Sequence, residues 1–168
     1  GVGRGLLDHM GGAYVEMPVN DPVRWGLVSP PEPEALLRWK ADRTGPDGSM
    51  FNHCGAFVHM RPGEADPSAQ MYFSQTHAER YRGLGAPLAA RFSGCVCRSR
   101  SEGQVSLATS SPFDKPLVDP RYFSDADDLE RTVEITEWNR DLALSKAFAP
   151  ARAGLTHALS TRARRPST

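Results

Sequence analysis

Glycines able to cradle a phosphate, and histidines and cysteines able to hold a metal or move a proton, are the residues here whose type and spacing could do chemistry. Gly1-Val2-Gly3-Arg4-Gly5 has the small residues of a dinucleotide turn, in which a buried strand feeds a helix whose first amides face a pyrophosphate. No strand is readable ahead of Gly1, and Leu6-Leu7-Asp8-His9 is too short for a crossover helix before Gly11-Gly12, so the context for phosphate binding is missing. His53 and Cys54 precede one apolar run, and His59 lies within it. Zinc takes imidazole and thiolate, but adjacent residues of an extended chain point to opposite faces and do not share one ion. Cys95-Val96-Cys97 puts two thiols on one strand face without the C-x-x-C knuckle of a metal site, so no metal is expected and these read as strand cysteines. His157 lies in a small, polar and basic segment, and no G-x-S-x-G elbow presents a serine. No catalytic residue is therefore assigned.

Composition narrows the classes of partner. The chain has 168 residues with 39% hydrophobic and 24% charged, enough for one domain with a core. Lys+Arg and Asp+Glu both count 20, so no global field draws the chain to nucleic acid or to an anionic membrane. The local basic pair Arg80 and Arg82 beside Tyr81 is offset by Glu79. No apolar run approaches the roughly 20 residues of a bilayer span, and the first 30 residues lack the apolar stretch of a secretory signal. Three cysteines, an odd number, do not suggest a disulfide framework, so a reducing cytoplasm is the expected compartment.

Positioning elements follow from pattern. Alternation suggests short strands at Ala13–Met17, Gly55–Met60, Ala69–Ser74, Arg91–Cys97 and Gln104–Leu107. Helices are expected near Glu32–Asp42, where prolines and acids open the first turn, and over Asp125–Ala147, with Ser124 as N-cap and Asp125, Asp127 and Asp128 at the dipole's positive end. Leu129, Val133, Thr136 and Ala143 fall on one side of the second helix, and Ile135, Trp138 and Leu142 on another, which suggests a helix between two partners. With 14 prolines and 15 glycines making turns, the fold class is α+β, an antiparallel-rich sheet with helices packed on one face.

The order of motifs resembles one family. Arg98 to Phe123, RSRSEGQVSLATSSPFDKPLVDPRYF, is similar to the S-R-G-x-V-x-L-x-S-x-D-P and P-x-I-D-P-x-Y-L-S-D stretches of the glucose–methanol–choline (GMC) family of flavin-dependent alcohol oxidoreductases. GVGRGLLDH resembles its G-V-G-x-N-L-x-D-H segment, with Gly5 in place of the family's Asn. Arg43-Thr44-Gly45-Pro46 with Gly55-Ala56-Phe57-Val58, the strand Asp66 to Phe73, and Ser145-Lys146-Ala147-Phe148 match in the same order.

What the resemblance implies is a partial substrate-binding domain over residues 1–148, followed by a disordered or non-family tail over 149–168. It implies Met71, Tyr72, Phe73 and Asn52 as substrate contacts, although an aromatic pair in a strand also serves simply as core. FAD is the implied cofactor and a small-molecule alcohol the implied partner, with a flavin domain outside these residues. The family's catalytic histidine belongs to an H-P-x-G-T-x-x-M-G-like segment that has no match after Phe148. In choline-oxidising members a histidine and a glutamate stand where this chain has Met71 and Gly11, which argues against choline as substrate. The expected function is a portion of an oxidoreductase acting on CH–OH groups, inactive alone; the alternative is a non-catalytic binding module with the same scaffold.

Overall fold

The structure is a computed structural model that describes residues 1–21, 32–44, 52–75 and 89–153. In chain order the elements are β1 (Arg4–Leu6), β2 (Ala13–Pro18), α1 (Glu32–Asp42), β3 (Asn52–Val58), β4 (Ala69–Gln75), β5 (Ala89–Val96), β6 (Gly103–Ser106), β7 (Leu117–Asp119) and α2 (Ala126–Leu144). Four strands form an antiparallel sheet in the order β2-β5-β4-β3, and a second sheet runs β1-β6-β7. One element differs from expectation here. Gln104–Leu107 does not extend the main sheet, because β6 pairs with β1 and β7, three-residue strands too short to show alternation.

Helix α2 lies across one face of the main sheet and defines the core. Ala13, Val15 and Met17 of β2, Ala90, Phe92 and Val96 of β5, and Ala69 and Met71 of β4 are buried beneath it with Ile135 and Ala143. Period-2 alternation puts these strand residues on one side. Gly94 lets the helix approach, since a Cβ there would sit 2.8 Å from Ile135 Cγ2 and 2.7 Å from Met71 Sδ. Phe73, Phe92 and Phe148 close one end, with Phe92 edge-on to both partners at ring-centre distances of 5.1 and 4.9 Å. The buried stripe of α2 is Asp128, Ile135, Asn139 and Ala143, whereas Leu129 is half exposed, so a single stripe of the helix is covered rather than two. On α1, Leu36 and Leu37 are exposed.

The start of α2 corrects a second expectation. Its N-cap is Asp125, whose Oδ1 accepts from the Asp127 amide at 2.9 Å. Ser124 instead closes the preceding turn, its amide donating to the Arg121 carbonyl at 3.1 Å, where Arg121 and Phe123 have positive φ. The far end corrects a third. Residues 149–153 are docked rather than disordered: Arg152 bridges Val19, Ala153 N donates to Pro18 O at 2.9 Å, and Asn20 N donates to Ala151 O at 2.9 Å. Arg152 also donates from Nη1 to the Ala143 carbonyl at 2.8 Å, satisfying a group that the helix end leaves open.

Candidate substrate face and its framework

The four residues expected to contact substrate do not share a direction. Met71 and Phe73 point under α2, into an apolar groove of about 320 Å³ whose walls include Cys54, Ala56, Phe92 and Leu142, with Tyr72 also on its border. Successive strand side chains alternate, so Tyr72 belongs to the sheet's other face. Asn52 sits on β3, its backbone opposite Ser74, and its side chain is outside the described residues. His77, Glu79, Arg80, Tyr81, Arg82 and His157 are also outside them.

The face away from α2 carries the polar groups. Tyr14, Glu16, Gln70, Tyr72, Arg91 and Ser93 alternate with the core residues, and adjoining them are buried Ser74 and Cys95. Burial pushes the Tyr72 hydroxyl up from its ordinary pKa, with the Cys95 and Cys97 thiols acting in the same sense, so it stays a protonated donor at neutral pH. Burial also raises both thiols, which keeps them un-ionised. Arg91 donates to Glu16 Oε1 from Nη2 at 2.6 Å and from Nε at 3.1 Å, and its guanidinium lies 4.9 Å from the Tyr14 ring centre. Such a face can orient a small polar molecule. Among the described residues no histidine lies on it: His9 and His59 are both exposed outside the strands, and His59 Nδ1 lies 3.1 Å from the Glu64 carbonyl.

A dense set of charges fixes the face to its helix. Arg131 donates to Glu64 at 2.7 Å and to Asp127 at 2.8 Å, and Arg61 donates to Asp127 at 2.7 Å and to Glu134 at 3.1 Å. The Arg131 and Ser68 hydrogen bonds hold Glu64 at a pKa of about 2, and Arg131 with Arg61 holds Asp127 at about 2. Asp128 is fully buried and accepts the Ser101 amide at 2.7 Å and the Arg100 amide at 3.0 Å. Burial alone would raise its pKa, but the Ser101 and Arg100 hydrogen bonds outweigh this and leave it lowered. Tyr122 donates its hydroxyl to Asp8, tying the D-P-R-Y-F turn to the N-terminal D-H pair.

These elements recur in known proteins. Residues 99–167 match the sequence profile described as GMC oxidoreductase, a match that runs on past Phe148. Mitochondrial choline dehydrogenase of Mus musculus is 26% identical over 155 residues, covering 90% of this chain and 26% of that protein. Oxygen-dependent choline dehydrogenase of Staphylococcus haemolyticus is 30% identical over 158 residues, covering 92% and 28%. The chain is similar to GMC oxidoreductases, by profile over residues 99–167 and by alignment over about nine-tenths of its length. The GMC fold is shared with formate oxidase, at a TM-score of 0.72 and 18% identity over 90% of this chain and 32% of that one. It is shared also with pyridoxine 4-oxidase from Mesorbium loti, at a TM-score of 0.64 and 19% identity over 90% and 26%. The chain thus spans between about a quarter and a third of the length of these relatives.

GMC oxidoreductases are FAD enzymes, so the glycines at the start of the chain bear a test of fit. They do not fit a phosphate cradle. Gly3 has φ 85° and its carbonyl accepts from Val105 N at 2.7 Å; a Cβ on it would collide with the Val105 carbonyl. These glycines let β1 lie against β6, and Gly1-Val2-Gly3 leads into a strand rather than a helix N-terminus. No step through a flavin is therefore assigned to the described residues. Among them, no helix is long and apolar enough to cross a membrane.

The residues that sequence reasoning missed are Gln70, Ser93, Arg91, Glu16 and Tyr14. Their signal was available. Counting by twos from Tyr72 gives Gln70 and Ser74, and antiparallel pairing then brings Ser93 and Arg91 alongside.

Proposed function

We propose that this chain supplies the substrate-side wall and its framework in an FAD-dependent oxidoreductase acting on a CH–OH group, and that it has no redox activity by itself. Residues 1–148 form the wall and its supporting helix in this reading, and the docked strap to Ala153 completes it. The observation that carries the proposal is the alignment of about nine-tenths of the chain with choline dehydrogenases, which supports alcohol oxidation as the chemistry of the whole. Two features of the site support it. The protonated Tyr72 hydroxyl can donate to an alcohol oxygen, with Gln70 and Ser93 beside it, and no histidine lies on the face among the described residues. Met71 and Phe73 then act as packing beneath the wall rather than as contacts. Free Cys54, Cys95 and Cys97 agree with a reducing, cytoplasmic setting.

The test is kinetic, in a longer polypeptide that carries both this chain and a flavin-binding portion. Tyr72→Phe should lower kcat/KM for the alcohol by about tenfold, the worth of one hydrogen bond in a site, while Ser106→Ala on β6 leaves it unchanged. Equal activity of Tyr72→Phe and the parent would remove Tyr72 from the wall.

A further inference from the structure

On the far face of the sheet, Arg91, Glu16 and Tyr14 lie together. Arg91 stands directly across from Glu16 in the β2–β5 pairing and bonds its carboxylate twice through Oε1, at 2.6 and 3.1 Å. The same guanidinium stacks over the Tyr14 ring at 4.9 Å. Arg91 and Glu16 are partly buried, with 23% and 36% of their side chains exposed. A carboxylate beside an aromatic face is what a quaternary ammonium group requires, because the acid balances the charge and the ring's negative face receives the methyl-clad cation. Both components are present here, and an arginine of the chain itself fills them.

Resting on the reading of this face as the substrate wall, we infer that Arg91 is a specificity-determining residue that occupies the place of a cationic head group, so that the wall takes alcohols without a positive charge. A trimethylammonium ion entering here must displace a guanidinium that makes two charge-assisted hydrogen bonds, and it has no N–H with which to replace them. A neutral alcohol meets no such conflict. It can use Tyr72, Gln70 and Ser93 while Arg91 stays on Glu16. Choline, the alcohol in the names of the relatives above, carries the trimethylammonium group that this arrangement turns away.

The experiment is a titration of the full chain with tetramethylammonium chloride at fixed ionic strength, read by NMR shifts of the Tyr14 ring, with near-UV circular dichroism as the check on folding. The parent chain should show no saturable shift. Arg91→Gln and Arg91→Met keep the side-chain stem and remove the charge; either should create saturable binding at least about tenfold tighter, and Glu16→Gln added to either should abolish it. The inference is overturned by a parent chain that saturates at the same concentration as the variants, or by natively folded variants that bind no cation. The readout needs no flavin chemistry. Its failure leaves the substrate-wall reading intact, whereas failure of the Tyr72 kinetics removes that reading and leaves the cation result as measured.

Discussion

Asp128 is the residue on which the connection between the helix and the small sheet turns. Its carboxylate is fully buried and caps the bend at Arg100 and Ser101 from the first turn of α2, so both amides would lose their acceptor if it were removed. Asp128→Ala should lower unfolding stability by about 3 kcal/mol, and Asp128→Asn, which keeps one acceptor oxygen, by roughly half as much. Urea denaturation checks both; a loss no greater than that of an exposed substitution such as Asp114→Ala would contradict the assignment. In the sequence, S-D-A-D-D displays several caps of equal quality, and nothing local distinguishes Asp125 as N-cap from Asp128 as buried acceptor. That choice is made by the turn with positive φ at Arg121 and Phe123, and by the approach of Ser101 from the connection between β5 and β6. Met71, Tyr72 and Phe73 teach a related point. The family resemblance marked all three as substrate contacts, but pleating separates them, and only the middle one shares a face with Gln70 and Ser93.

Among elements, α2 is held to the β3–β4 turn by Arg61, Glu64, Asp127 and Arg131, whose side chains are all at least two-thirds buried. Both acids titrate at about 2 in the folded protein, below the value of about 4 expected in the unfolded chain. The sign follows from linkage. A lowered carboxylate contributes its full stabilisation above the unfolded value and loses it as pH falls through the folded one. Stability should therefore be flat from pH 7 to about 5 and drop between about pH 4 and 2, and Glu64→Gln should remove part of that drop. Denaturation midpoints across a pH series supply the check, and a midpoint unchanged down to pH 2 would contradict it. Strands β2, β4 and β5 were legible because one face of each is buried, which writes alternation into the sequence. Strands β1 and β7 were not, since their pairing rests on backbone contacts with β6. Docking of residues 149–153 was hidden for the same reason: Pro18, Val19 and Asn20 meet this segment through main-chain groups that composition does not record.

For the whole molecule, the resemblance and the α+β fold were readable because motif order survives at identities near 26–30%, while which strands pair had to come from three dimensions. Leu107, Phe113, Leu117 and Val118 are all more than half exposed around the β6–β7 hairpin, and β7 is an edge strand. An exposed apolar edge of this kind promotes association. Light scattering of the isolated chain should rise with concentration, and Val118→Lys should reduce it; a parent chain that stays monomeric at high concentration would contradict this. On the proposed reading the chain builds a substrate wall and has no redox activity by itself. The most direct measurement is the visible absorbance of the purified chain, before and after adding FAD with removal of the excess, followed by exposure to primary alcohols. The expected result is no retained flavin and no alcohol-dependent bleaching. Stoichiometric flavin that bleaches when an alcohol is added would contradict the claim outright.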